Sequence, residues 1–176
     1  MDAFKVIIVE DVKLELKGTE QIFHSEIPEA EIIGTAATEA EFWKLMRGEV
    51  PHLVLLDLGL GGSTTVGVDI CRQLKSRYPS VRVLVFTGEV LNERLWVEVL
   101  SAGADGVIYQ QVKFCDPWAY ERLLGSTMLR DDYGYPVLSV DRPYNISAMI
   151  IVQATTVPLC FAAAAAVALS PVRSPV

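Results

Sequence analysis

Leu53-Val54-Leu55-Leu56-Asp57 is a run of four large apolar residues that ends on a carboxylate, and the chain uses the same device three more times. Val6-Ile7-Ile8-Val9 runs into Glu10 and Asp11, Val83-Leu84-Val85-Phe86 into Thr87, and Val107-Ile108-Tyr109 into Gln110. Continuous apolar runs separated by helical segments imply a parallel sheet buried on both faces, because a half-exposed strand would alternate with polar residues. Open sheets of this kind bind ligands outside the carboxyl ends of their strands, and each of these polar residues falls at such an end. Three carboxylates held together repel one another unless a cation joins them. Glu10, Asp11 and Asp57 therefore ask for a hard divalent ion with oxygen ligands, magnesium above all. Asp57 then lies beside that ion as a phosphoryl acceptor.

Working outward, strand and helix signals alternate five times between residues 4 and 129. The sequence predicts strands near 4–9, 30–35, 52–57, 81–86 and 105–109, and helices near 13–26, 38–47, 66–78, 91–102 and 115–129. In the third helix Ile70, Cys71, Leu74 and Tyr78 share a face, with Arg72, Lys75 and Arg77 largely turned from it. Tyr78-Pro79 ends it, since a residue before proline disfavours helical geometry. Thr38 and Glu41 make a capping box for the second helix. Such alternation gives a right-handed, doubly wound α/β sandwich. No internal repeat is evident.

Length and charge narrow the classes. The 176 residues suffice for one ordinary domain and an extension. Residues 1–142 hold 14 of the 15 basic residues against all 22 acidic ones, a net charge of −8. That surface does not favour nucleic acid. Cys71, Cys115 and Cys160 are far apart and lack metal-ligand spacing, which fits a reducing cytoplasm. The N-terminus enters a strand with no signal peptide, so a cytoplasmic location is expected.

At this point the chain resembles the receiver domain of two-component response regulators. The likeness covers roughly residues 4–129 and rests on Val9-Glu10-Asp11, Leu55-Leu56-Asp57-Leu58, Phe86-Thr87-Gly88 and Ala102-Gly103-Ala104-Asp105-Gly106, in that order. It implies a flavodoxin-like five-stranded parallel sheet in the order 2-1-3-4-5. It also implies that Asp57 is the phosphoacceptor, that Glu10, Asp11, Asp57 and the Gly59 backbone carbonyl hold Mg2+, and that Thr87 is the switch hydroxyl. The donor of the phosphoryl group would be a histidine kinase or phosphotransfer protein. A homodimer would form through the fourth helix, fifth strand and fifth helix, where Trp96 and Trp118 could contribute.

Three departures bear on function. Gln110-Gln111 stand where the family has lysine followed by proline, and a neutral amide makes a weaker contact with phosphate than an ammonium. Lys113 should lie past the strand end. Val107 replaces the aromatic that usually couples the fifth strand to the switch threonine, with Tyr109 close by. The loop Gly59-Leu60-Gly61-Gly62-Ser63-Thr64-Thr65-Val66-Gly67 has glycine where proline is common, and it is about two residues longer than usual. It lacks P-loop spacing and is read as a plain loop. His24 and His52 are isolated and read as surface or packing residues; Trp43, Trp96 and Trp118 fall on separate helices and read as packing residues, not as a base-stacking platform.

Residues 130–142 read as a linker, because Arg130-Asp131-Asp132-Tyr133-Gly134-Tyr135-Pro136 is polar and turn-rich. Tyr135 to Ser139 faintly resembles the linker before helix-turn-helix output domains, yet no basic recognition helix follows, so no direct nucleic-acid binding is expected. Residues 143–176 form an alanine-rich tail with no charge until Arg173. The readings that stand are a helix packed on the receiver or a partner, a membrane anchor, and a disordered segment or degenerate remnant of a lost output domain. Pro158, Gln153, Thr155 and Thr156 count against the anchor.

Two functions follow from the resemblance. The first is a phosphorelay switch, not an enzyme in the metabolic sense, that accepts a phosphoryl group on Asp57 and acts through protein contacts. The second is a pseudo-receiver, a phosphate-independent interaction module, which Gln110 favours. A phosphatase of related topology is disfavoured, because it needs a second acid where Gly59 stands.

Overall fold

The computed structural model describes residues 4–87, 93–112, 127, 131 and 137–142. Its elements are β1 (Phe4–Val9), α1 (Lys13–Glu26), β2 (Ala30–Ala36), α2 (Glu39–Leu45), β3 (Leu53–Leu56), a short 3-10 turn (Leu60–Gly62), α3 (Thr64–Arg77), β4 (Arg82–Thr87), α4 (Glu93–Ser101), β5 (Gly106–Val112) and β6 (Val137–Arg142). The strands form one sheet in the order β2-β1-β3-β4-β5-β6, and every neighbouring pair is parallel. The first five strands have the order implied by the receiver resemblance.

Side-chain alternation explains why the strands are apolar throughout. On one face Ile7, Val9, Val54, Leu56, Val83 and Val85 pack with Phe42 of α2, Ile70 and Leu74 of α3 and Val99 of α4. On the other face Val6, Ile8, Leu53, Leu55, Leu84 and Ile108 pack with Ile22 and Phe23 of α1. Both faces are covered, so neither residue parity can be polar without burying an unsatisfied group.

Local signals set the helix limits. Thr38 Oγ1 accepts from the Glu41 N–H at 3.3 Å, and Glu41 Oε2 accepts from the Ala37 N–H at 2.8 Å. The second bond reaches one residue further back than in a standard capping box. At the close of α3 the Tyr78 N–H returns to the Leu74 carbonyl at 2.7 Å.

Two features depart from the sequence-based expectation. Residues 137–142, assigned to the linker, form β6 and pair with Val107–Val112 along six positions. In turn β5 runs to Val112 and not to 109, because β6 supplies ladder partners for Gln110, Gln111 and Val112. The register between β1 and β2 also shifts after Val6, which pairs with Ile32 while Ile7 pairs with Gly34. Apart from residue 127, the helix expected over 115–129 lies outside the described residues, as do the tail over 143–176 and the side chain of Trp96. Among the described residues no helix is long and apolar enough to cross a membrane.

Candidate functional site

The parallel sheet brings the ends of β1, β3, β4 and β5 to one edge. Glu10 and Asp11 follow β1 directly and Asp57 follows β3. Two backbone bonds fix these exits. The Glu10 N–H donates to the Ala36 carbonyl and the Asp57 N–H to the Val9 carbonyl, each at 2.9 Å. One carboxylate oxygen from each of Glu10, Asp11 and Asp57 lies within 4.8 Å of the others. The adjacent Glu10 and Asp11 and the distant Asp57 therefore meet as the pattern of apolar runs implied.

Among the described residues, the electrostatics of the group are those of crowded, partly desolvated acids. Glu10 is only 4% exposed. Burial pushes its carboxyl up to about 7, and the negative charges of Asp57, Glu15 and Asp11 add to the rise, while a hydrogen bond from the Val12 N–H opposes it. That bond spans 2.9 Å to Glu10 Oε1. Burial likewise pushes Asp57 up to about 6; hydrogen bonds from the Gly59 and Leu58 backbone pull the other way, and the charges of Asp11 and Glu15 add to the rise. Desolvation and like charge disfavour ionised carboxylates, and a divalent cation relieves both. An all-oxygen donor set at this spacing fits a hard ion such as magnesium.

The loop after β3 adds contacts that the sequence reading did not foresee. The Gly61 N–H donates to Asp11 Oδ2 at 2.8 Å, and the Gly62 N–H donates to the Gly59 carbonyl at 2.9 Å. Leu60 between them is buried in the core. Gly61 and Gly62 both have positive φ, 62° and 76°. The Gly-Gly pair was the available signal, because adjacent glycines mark backbone of that kind. Glu15, one turn into α1, is a further acid that raises both Glu10 and Asp57.

Thr87 ends β4 and is buried. It pairs in register with Tyr109, so Gln110 occupies the next position of β5, opposite Val140 of β6. The Gln110 side chain lies outside the described residues. Asp105, from the stretch leading into β5, serves the framework: its carboxylate takes Arg82 Nη1 at 2.8 Å, Lys75 Nζ at 3.0 Å and the Val83 N–H at 2.8 Å. His52 also has a framework role, with Nδ1 accepting the Lys5 N–H at 2.9 Å and its ring stacked on Phe4. Trp43 donates to Glu39 Oε1 at 3.0 Å and carries the Arg77 guanidinium over its ring. Cys71 is buried, and that burial pushes its thiol up to about 12, so it packs as a small apolar residue.

Comparison with known proteins gives a consistent answer. The family model for the response regulator receiver domain matches residues 6–116. The DNA-binding transcriptional activator DevR/DosR of Mycobacterium tuberculosis is 28% identical over 109 residues, which are 62% of this chain and 48% of that protein. The transcriptional regulatory protein DegU of Brevibacillus brevis is also 28% identical over 109 residues, 61% of this chain and 44% of that protein. The chain thus spans about half the length of the curated relatives it matches. Among solved structures, a two-component response regulator of the LuxR family from Aurantimonas sp. SI85-9A1 superposes with a TM-score of 0.56 at 21% identity, covering 86% of this chain and 98% of that one. The isolated receiver domain of RcsB from Salmonella enterica serovar Typhimurium, solved in the presence of the phosphomimetic BeF3−, gives 0.56 at 19% identity, covering 84% and 98%. At these identities the structural likeness speaks for the fold.

Proposed function

The chain belongs to the response regulator receiver family of two-component signalling, and we propose that it works as a phosphoryl-operated switch with Asp57 as the acceptor. The observation that carries this reading is the meeting of the Glu10, Asp11 and Asp57 carboxylates within 4.8 Å at the carboxyl edge of the sheet. The phosphoryl donor would be a histidine kinase or phosphotransfer protein. An ionised Asp57 oxygen attacks the phosphorus of a phosphohistidine; an O–P bond forms as the P–N bond breaks, and the leaving imidazole takes a proton from solvent. Magnesium, when held by Glu10, Asp11, Asp57 and the Gly59 carbonyl, supplies the positive charge that offsets repulsion between these acids and the incoming group. The hydrogen bonds from the Leu58 and Gly59 backbone orient the acceptor. Thr87, at the end of the next strand, would turn its hydroxyl to the bound phosphoryl oxygen, and Gln110 would give a neutral amide contact in place of an ammonium. Output would pass through protein contacts, including self-association through a face built on α4 and β5.

The test is to incubate the full chain with acetyl phosphate and MgCl2 and measure the intact mass. A gain of one phosphoryl group, labile at alkaline pH and missing in Asp57→Asn, is expected. Absence of the adduct under conditions that load a lysine-containing receiver would sink the switch reading. A second reading is favoured by one feature, the glutamine at position 110 of β5. In that reading the chain is a pseudo-receiver whose partner binds equally well whether or not Asp57 can be modified.

A further inference from the structure

The loop between Asp57 and α3 is folded in a way that reaches both backbone and side-chain donors of the site. Leu60 anchors it in the core. On one side of that anchor the Gly59 carbonyl receives the Gly62 N–H at 2.9 Å. On the other, the Gly61 N–H is given to Asp11 Oδ2 at 2.8 Å, a contact between residues fifty positions apart. A proline at 61 would have no N–H to give. Gly61 lies at φ 62° and Gly62 at φ 76°, while a Cβ on either would meet nothing within 4 Å. Glycine is therefore needed here for backbone conformation and not for space.

Neither hydrogen bond exhausts its acceptor. A carboxylate has about four lone-pair sites on two oxygens and a carbonyl oxygen has two. Among the described residues, Asp11 Oδ1 and the second lone pair of the Gly59 oxygen take no further hydrogen bond.

We infer that the Gly59–Gly62 turn is a positioning brace for the metal site, in which the Gly61 N–H holds Asp11 and the Gly62 N–H sets the direction of the Gly59 carbonyl while both face the same ion. The inference rests on reading Glu10, Asp11 and Asp57 as a magnesium site. It makes Gly61 and Gly62 positioning residues in a loop that sequence analysis treats as plain. It also requires the turn to persist when the ion binds. A turn that competed for Asp11 would have to open.

The experiment uses the full chain, labelled with 15N and titrated with MgCl2, with amide hydrogen exchange read at Gly61. Slow exchange at Gly61 should persist or deepen at saturation. Calorimetry on Gly61→Ala and Gly62→Ala should show magnesium binding weakened by roughly three- to tenfold, because the strained turn is populated less and only the closed form binds well. Gly103→Ala is the control. It carries the same kind of strain at φ 88° but packs on Lys75 away from the acids, so its affinity should match the wild type. If magnesium binds the wild type while the Gly61 amide becomes freely exchanging, or if the two loop variants bind like the wild type, the brace falls and the metal site stands. If the wild type binds no magnesium, the metal reading falls and takes the brace with it.

Discussion

A Cβ built on Gly67 would lie 2.6 Å from the Cα of Leu58, closer than any side chain can sit. The same atom would come within 2.9 Å of the Asp57 carbonyl oxygen. The first turns of α3 thus press on the backbone that carries the acceptor, and the missing side chain allows it. We expect Gly67→Ala to shift this backbone and to cost about 1–3 kcal/mol of stability, as overpacked cores do. Because the displaced atoms belong to the acceptor segment, magnesium binding should weaken as well. Thermal unfolding together with a magnesium titration measures both. Wild-type values in both would mean that α3 moves away freely.

Acidity should control the stability of the metal-free protein in a defined direction. Asp57 is pushed up to about 6 and Glu10 to about 7, so each binds its proton more tightly in the folded state than in the unfolded one. The stability this provides is fully present below the ordinary carboxylate range and is lost as pH rises through those values. In chelator-treated protein the melting temperature should fall between about pH 4 and pH 7, from this pair alone. Asp57→Asn should remove part of the slope and be the more stable protein at pH 8, by on the order of 1–2 kcal/mol after allowance for partial exposure. Parallel profiles for the wild type and the variant would refute the assigned cause.

The architecture was legible because burial on both faces of a parallel sheet leaves a trace in each strand. Val6 to Val9, Leu53 to Leu56 and Val83 to Phe86 could hardly be anything else, and α1 occupies the expected 13–26. The grouping of Glu10, Asp11 and Asp57 followed from the same logic, since strand ends gather wherever the sheet puts them. Contacts created by tertiary proximity alone were not legible. Val137-Leu138-Ser139-Val140 becomes a strand because β5 offers an edge, which no local pattern reveals. Asp105 looked like part of a motif but is engaged by Arg82 and Lys75. The hydrogen bond from Gly61 to Asp11 depends on two left-handed residues whose direction the sequence does not encode.

Asp105 deserves a test as a joint, since its carboxylate ties α3, β4 and the entry to β5 together with a side chain only 13% exposed. Removing the acceptor that several donors share in a part-buried ionic group costs more than breaking an exposed pair, on the order of 1–3 kcal/mol. Asp105→Ala should therefore lower the unfolding midpoint in urea far more than Asp69→Ala, whose pair with Arg72 is exposed. Equal effects would show that the framework does not depend on this junction.

Gln110 gives a prediction about coupling. Without a lysine at that position a bound phosphoryl group lacks the fixed cationic side chain that a lysine would give, so modification should shift the population of conformers only slightly. Gln110→Lys is expected to enlarge the response to beryllofluoride, read as amide chemical-shift changes around Thr87 and in α4. A response no larger than that of the wild type would mean that the site has been rebuilt around the amide.

The sixth strand changes where the folded unit should be cut. β6 pairs with β5 over six residues from Val107 to Val112, so ending the chain near residue 130 would leave that edge with unpaired backbone groups, an invitation to association. A chain ending after Arg142 keeps the ladder. We propose that the receiver fold extends to this point and that residues 143–176 are separable from it. The longer of the two truncated chains should unfold cooperatively near the full-length midpoint and sediment as a single species. The shorter one should unfold earlier and self-associate more strongly. If both behave alike, β6 contributes nothing to the fold, and the domain ends with the helix expected at 115–129. If the longer one fails to fold at all, the apolar tail is itself part of the core.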